Sequence, residues 1–165
     1  MTYSILNNFN REVDNQYSLM PSASNAGIGS QFTLLTAAVI TKVKVKIYKS
    51  NGETTPPTGH ITARLYSSHT NTPLDRDDYA ETNLAESTNS IDVSALDEGN
   101  NNAVEFTFNS FPLAIGIYFI CLFSSEMVPN DGYVAILGTD SSVTSVGYIT
   151  FWNEDEGRWG SFNEW

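Results

Sequence analysis

The stretch AVITKVKVKIY, residues 38–48, decides the fold class of this chain. It alternates with a period of two residues, and lysines fill most of one side. Such a repeat describes a β-strand with one buried and one exposed face, whereas a helix would spread the lysines around its circumference. The predicted buried side holds Val39, Thr41, Val43, Val45 and Ile47, and the opposite side holds Ile40, Lys42, Lys44 and Lys46.

The rest of the chain offers mostly further strands to cover that buried side. Short apolar or alternating runs are separated by Gly, Pro, Asn and Asp, and no window of ten residues carries a helical stripe. This pattern predicts an all-β fold, a single-domain antiparallel β-sandwich of the jelly-roll type with about eight to ten strands. We expect one domain over residues 1–165, with an N-terminal strand and loop segment at 1–26 and the jelly-roll core at 27–165.

Two local features of the strand pattern give more specific expectations. The run IYFICLF, residues 117–123, is apolar on both sides, which predicts a strand in the middle of a sheet. The lysine strand and residues 60–67 are separated by Asn51-Gly52 and Pro56-Pro57, so we expect these two strands to form a hairpin with a long tip.

The charge of the chain excludes several classes of partner. Only 8 residues are Lys or Arg against 19 Asp or Glu, and the net charge is -11. Nucleic acid and anionic membranes both attract basic proteins, so we expect neither as a partner. The N-terminal sequence shows no signal peptide, and the longest apolar run is too short for a transmembrane helix. A chain made without a Sec signal can still reach the outside by assembly into a particle or by cell lysis.

The residue types that carry chemistry are sparse. Cys121 is the one cysteine and lies in an apolar run, which predicts a buried, unreactive thiol. His60 and His69 belong to no recognisable nucleophile or metal motif, and the acids cluster in loops rather than in apolar runs. We therefore expect no enzyme activity and no catalytic residues.

Calcium is the candidate cofactor, because loop carboxylates supply the oxygen ligands that this ion prefers. The run DRDD contributes Asp75, Asp77 and Asp78, and the acidic turn at residues 153–157 is a second candidate. The run does not follow the spacing of an EF-hand loop. The alternative is that these carboxylates are simply solvated.

The aromatic residues near the C-terminal end suggest a binding surface. Trp152 and Trp159 lie there beside Tyr148, and aromatic faces at the edge of a sandwich can stack on sugar rings. Trp159 stands between Gly157 and Gly160 in a turn, so it is our first choice for an exposed platform. The alternative is that these rings close the core.

The order of the strands resembles that of a known group of modules. The chain runs IGSQFTL, ITKVKVKIYKS, PPTGHITARLYS and NLAESTNSIDVSAL, then VEFTFNSFPLAIGIYFICL and VGYITFWNEDEGRWGSF. Over residues 27–165 this resembles the galactose-binding-like, jelly-roll β-sandwich modules of phage and bacterial surface proteins. Gly116 and Tyr118 occupy the G-x-Y positions of a V-x-F-x-F … G-x-Y hairpin, and Ile28, Gly29 and Phe32 match the opening strand.

The resemblance implies a non-catalytic function and transfers no site residue. Modules of this kind are attached to surface proteins or virions and bind glycans or other proteins. We therefore expect a structural or interaction protein of a virus particle, such as a capsid decoration or fibre protein, located at the virion surface or outside the cell. Its partners would be other virion proteins or further copies of itself as a homo-oligomer. The alternative is a carbohydrate-binding module that mediates glycan attachment.

Overall fold

A computed structural model describes residues 15–19, 26–49, 58–71, 77–97, 103–124, 134–138, 149–153 and 157–161. Within these ranges the chain is built from antiparallel strands, with a single 3₁₀ turn at Val93–Ala95. The strands are β1 (Asn15–Leu19), β2 (Ala26–Leu34), β3 (Ala38–Lys49), β4 (His60–Ser68), β5 (Ala80–Glu86), β6 (Ile91–Asp92), β7 (Ala103–Leu113), β8 (Gly116–Ser124), β9 (Val134–Gly138), β10 (Ile149–Asn153) and β11 (Arg158–Ser161).

The strands form two sheets that pack together, which confirms the predicted all-β sandwich. The smaller sheet has the order β1-β9-β3-β7, and the larger has the order β11-β10-β2-β8-β4-β5 with β6 paired to β4. The described part of the chain holds eleven strands, slightly more than we expected. The jelly-roll connectivity stays a prediction, and most of the expected N-terminal segment at residues 1–26 lies outside the described residues.

The strand β8 confirms one expectation and corrects another. It pairs with β2 on one side and with β4 on the other, so the apolar run lies in the middle of the larger sheet. However, β3 and β4 belong to different sheets and do not form a hairpin. The connection from β7 to β8 also crosses between sheets, so the expected hairpin there is wrong as well.

The lysine strand contains an irregularity that the alternation did not reveal. Ile40 pairs with Phe111 and Lys42 with Thr107, so β7 has two more residues than β3 at this point, which is the mark of a β-bulge in β7. The buried positions of β3 change phase across this irregularity. Ile40 is buried and Val39 is exposed, against our prediction, whereas Val45 and Ile47 lie in the core as expected.

The main core lies between the two sheets, because both sheets contribute to it. Its members come from β3 and β7 of the smaller sheet and from β2, β4 and β8 of the larger one. Phe106, Ile61 and Leu65 are among its most completely buried side chains. Burying a side chain of this size stabilises the folded state by roughly 1.5–3 kcal/mol. The core between the sheets is therefore what holds the sandwich together.

A second apolar cluster lies on the other face of the larger sheet. It comprises Tyr66, Ala80, Phe119, Cys121, Phe123 and Trp159. In a flat sheet β11 and β5 would be about 24 Å apart, since five strand spacings of about 4.8 Å separate them. Instead their Cα atoms approach within 8 Å, so the larger sheet curls until its two edges meet around this cluster.

The free edge of β7 in the smaller sheet is covered by a side chain. Asn89 donates from Nδ2 to the backbone oxygen of Glu105 (3.0 Å) and accepts at Oδ1 from the backbone N–H of Thr107 (2.8 Å). The backbone N–H of Thr88 also donates to the oxygen of Thr107 (2.7 Å). The segment after β5 thus satisfies backbone groups that an uncovered edge strand would offer to another chain.

Candidate functional site: an apolar tip

The structure corrects the sequence-based prediction for Trp159. Its side chain is 2% exposed, so it is not an exposed platform. The ring lies edge-on to Tyr66 at 5.5 Å and to Phe123 at 6.4 Å between centroids. The physical reason is the curl of the larger sheet, which brings β11 against the face of β4 and β8.

The other two aromatic candidates are less fully described. The backbone of Trp152 lies in β10, where it pairs with Trp159 in the register of the β10–β11 hairpin. Tyr148 lies outside the described residues. Among the three, the described structure therefore brings together only the backbones of Trp152 and Trp159.

The acidic candidates for calcium separate in the structure. Asp77 is exposed, Asp78 is completely buried, and Asp75 lies outside the described residues. The Asp78 carboxylate accepts hydrogen bonds from Gln31 Nε2 (2.7 Å) and Ser68 Oγ (2.6 Å). It also accepts one from the backbone N–H of Thr70 (2.9 Å). These contacts make Asp78 a buried brace between β2 and the turn after β4.

Within the described ranges, no group of three or more His, Cys, Asp or Glu side chains is placed to hold a metal ion. Calcium at the DRDD run, with a ligand set that includes Asp75, stays a prediction.

The same hydrogen-bonded network fixes the turn that follows β4. Asn71 has a positive φ of 51°, a conformation that asparagine tolerates better than most residues. Its backbone N–H donates to Ser68 Oγ (2.8 Å), and its Oδ1 accepts from the backbone N–H of Ile117 (3.3 Å). The turn is therefore held against the start of β8.

The other side chains that could take part in chemistry are the two histidines and the cysteine. Both histidines are exposed, and His69 stacks on Tyr79 at 4.4 Å with its Nδ1 lying 3.0 Å from Glu81 Oε1. Cys121 is fully buried, as we predicted, and the loss of solvation raises the pKa of its thiol well above the ordinary value.

The start of β8 lies beside the most distinctive surface of the described structure, which the sequence analysis missed. Three large apolar side chains are strongly exposed: Leu35 at 82%, Val39 at 58% and Ile115 at 68%. They are all the large hydrophobic side chains with such exposure among those whose burial the structure describes, which leaves out β1, β9 and β10. We call these three residues the apolar tip.

The topology explains why these three residues share one end of the sandwich. Leu34 pairs with Gly116, so Leu35 and Ile115 flank one rung of the β2–β8 ladder. Val39 pairs with Pro112 at the corresponding end of the smaller sheet. The connections at residues 35–37 and 114–115 both cross between the sheets, and they lie side by side.

The sequence around the apolar tip contains no charge. Residues 33–41 read TLLTAAVIT and residues 109–118 read NSFPLAIGIY, within a chain whose net charge is -11. Turn geometry does not require apolar residues here. Among the described non-glycine residues, Asn71 alone has a positive φ, and it lies outside these two connections. Tight turns more often carry Gly, Asn, Asp or Ser, so the apolar side chains point to a role at the surface.

The short, braced connections also make the apolar tip a fixed surface. The two connections span three and two residues between strands, and the neighbouring turn is bound to Ile117. A contact surface that is ordered before binding loses little conformational entropy when a partner arrives. The arrangement is suited to contact with another apolar surface.

Comparison with known proteins adds no family assignment. No family model, no curated protein and no solved structure matches the chain. The resemblance to galactose-binding-like modules therefore stays a prediction from the sequence. In the described residues, no helix has the length and apolar character needed to cross a membrane.

Proposed function

We propose that this chain is a non-catalytic structural or interaction protein, a surface component of a virus particle such as a capsid decoration or fibre protein. The observation that supports the interaction role is the apolar tip. Contiguous exposed apolar surface on a folded protein commonly marks a site of protein contact. In this proposal the apolar tip is where the chain meets its protein partners.

The assignment to a virus particle depends on a different argument. It rests on the order of strand motifs, which resembles that of modules carried on virions and bacterial surfaces. The antiparallel sandwich is consistent with such a module. An all-β sandwich hosts many functions, so the fold supports this assignment only by analogy.

Purified particles from the source that makes this chain provide the test. Quantitative mass spectrometry should find the chain in fixed stoichiometry with the other particle proteins. Particles stripped of the chain should take up the purified wild-type protein again. The double variant Leu35→Ser/Ile115→Ser should rebind at least tenfold more weakly, since each serine removes an apolar anchor.

A matched variant controls for general damage to the surface. Ala95→Ser/Ala103→Ser changes two exposed alanines at the opposite end of the sandwich, so it should rebind like the wild type. Particles that never contain the chain would overturn the virion assignment. Equal rebinding of both double variants would overturn the role of the apolar tip.

Glycan attachment is the alternative function taken from the sequence. Its first-choice residue, Trp159, is buried, which removes the exposed ring that motivated it. A glycan array with the purified chain tests the alternative directly. Sugar binding that survives Leu35→Ser/Ile115→Ser would favour it over contact through the apolar tip.

A further inference from the structure

We propose that the outer face of the smaller sheet binds a short acidic segment of a partner protein. The described part of this face holds Lys42 and Lys44 on β3, with Glu105 beside them on β7. We call these three residues the lysine face. It shares no residue with the apolar tip, so it is a second contact surface in addition to the tip.

The positive charge of the chain is concentrated on the smaller sheet. All the lysines of the sequence lie on β3, and these are Lys42, Lys44, Lys46 and Lys49. In the sequences of β1, β3, β7 and β9 the one acidic residue is Glu105, so these four strands together carry a net charge of +3. The whole chain has a net charge of -11, so the smaller sheet and the rest of the chain are opposite in sign.

Two common reasons for placing lysine on a strand do not apply to β3. Lysine often occurs on edge strands, where its charge prevents pairing with another chain. β3 lies inside its sheet, between β9 and β7, so it is not an edge strand. Solubility does not require positive charge either, because an acidic protein already repels its own copies. The row of lysines is therefore better explained by recognition of a partner.

Glu105 shows how a carboxylate binds to the lysine face. Its Oε1 lies 2.7 Å from Lys42 Nζ, and its Oε2 lies 3.7 Å from Lys44 Nζ. The hydrogen bond from Lys42 is the main cause that lowers the pKa of the Glu105 carboxyl. A carboxylate held between two lysines is thus favoured in its charged form at this place.

The lysine face stays positive after this internal contact. The two lysine side chains are 59% and 68% exposed, so an incoming group can reach both of them. One glutamate offsets one of the two positive charges and leaves the other for a partner. A second carboxylate from outside would therefore meet net attraction.

The spacing of the lysines fits an extended acidic segment. Residues two apart on a strand are separated by roughly 6.4–6.8 Å, so Lys42 and Lys44 form a row with this repeat. Acidic side chains at every second residue of an extended segment have the same repeat, because the same backbone geometry sets it. The register places Thr107 opposite Lys42 and Ala103 opposite Lys46, so β7 offers short side chains on either side of Glu105.

The range of electrostatic forces favours a short segment over a large polyanion. Nucleic acid and anionic membranes extend well beyond one sheet, so they also meet the acidic remainder of the chain, which repels them. A short segment stays close to the lysines, and the more distant acids are screened beyond about 8 Å at physiological ionic strength. Charge complementarity on the lysine face therefore fits an acidic peptide best.

NMR titration with a synthetic peptide that alternates glutamate with threonine is the first measurement. Exposed ion pairs are weak, so we expect a dissociation constant of roughly 0.1–1 mM. Backbone amide signals of residues 42–46 and 103–107 should shift, and added salt should weaken the binding. No shift of these signals at millimolar peptide, or binding that strengthens with salt, would overturn the proposal.

Two double variants separate the lysine face from the total charge of the protein. Lys42→Gln/Lys44→Gln should weaken binding of the peptide by at least about fivefold. Thr82→Glu/Asn83→Glu lowers the net charge by the same amount at exposed positions on β5 of the larger sheet, and it should bind like the wild type. Equal weakening in both would show that the total charge decides the binding, and the proposal would be wrong.

Glu105→Gln should strengthen binding, which a purely structural role of these residues does not predict. The substitution removes the carboxylate that already lies between the two lysines, so the peptide no longer competes with it. We expect the affinity to rise by roughly two- to fivefold. Weaker binding by Glu105→Gln would contradict the proposed contact between the lysines and the peptide.

Other occupants give different results in the same experiments. Leu35→Ser/Ile115→Ser should bind the peptide like the wild type, and loss of binding in this variant would place the contact at the apolar tip instead. Tighter binding of a sulfated polysaccharide or of nucleic acid than of the peptide, with shifts at the same amides, would assign the lysine face to a polyanion. Either result would refute an acidic segment as its partner.

Discussion

Removing the side chain of Asn89 should destabilise the protein and expose the edge of β7. This side chain makes three hydrogen bonds: with the Glu105 oxygen, the Thr107 N–H and the Thr107 hydroxyl (3.0 Å). Each is worth a net 0.5–1.5 kcal/mol, roughly, in a folded protein. The hydroxyl retains Thr88 Oγ1 as a neighbour at 3.0 Å, so we expect Asn89→Ala to cost about 2 kcal/mol.

Urea unfolding followed by tryptophan fluorescence measures this loss. For a chain of this size, about 2 kcal/mol lowers Tm by roughly 4–8 °C. Asn89→Asp should lie between wild type and alanine, because it keeps the acceptor for Thr107 and loses the donor to Glu105. The control is Asn83→Ala, a change at an exposed asparagine on β5, which should cost less than about 0.5 kcal/mol.

A second readout follows from the function of an edge cover. Uncovering backbone groups on β7 should raise the rate of aggregation on mild heating, below the unfolding transition. The reasoning fails if Asn89→Ala is as stable as Asn83→Ala. It also fails if both variants lose the same amount, since the loss would then be unrelated to the covered edge.

Three further predictions concern buried and titrating groups. Asp78→Ala should lower the free energy of unfolding in urea by about 2–4 kcal/mol, because three donors lose the carboxylate that accepts from them. Asp78→Asn should lower it less, because the amide oxygen can still accept one of these three hydrogen bonds. Burial raises the pKa of Cys121, so the unfolded chain loses this proton first, and stability should fall above pH 9.0 by up to about 1.4 kcal/mol per pH unit. Cys121→Ala should lack that component of the slope, and a native thiol that reacts with iodoacetamide as fast as the unfolded one would contradict its burial. The hydrogen bond from Lys42 lowers the pKa of Glu105, so this pair should contribute stability above pH 4.5 and lose it as the pH falls through the lowered pKa. The free energies of unfolding of the wild type and of Glu105→Gln should therefore converge as the pH falls. A difference between them that grows in acid would contradict this prediction.

Alternation along single strands was enough to predict the fold class. The runs at residues 39–47 and 117–123 are real strands, and the second lies at the centre of its sheet as predicted. The bulge opposite Ile40 was missed because the two extra residues in β7 leave no local mark in the sequence of either strand. β5 was missed as a strand because most of its side chains are exposed and polar, so it shows little apolar alternation.

The candidate site was predicted poorly because it depends on contacts distant in sequence. Trp159 looked exposed beside two glycines, and only the approach of β11 to β5 buries it. Nothing in the sequence indicates that the connections at residues 35–37 and 114–115 are neighbours. Their proximity follows from the pairing of β2 with β8, across more than eighty residues of chain.

The curl of the larger sheet has a consequence for how the chain folds during synthesis on the ribosome. β8 emerges with one side able to pack on the main core at once, while the side bearing Phe119 and Phe123 must wait for β11. β11 begins at Arg158, well after β8 ends at Ser124, so these side chains lack their final cover until synthesis has passed β11. A nascent chain that has not yet reached residue 158 therefore presents an uncovered aromatic surface, and sealing it is the last step of assembly for the described strands.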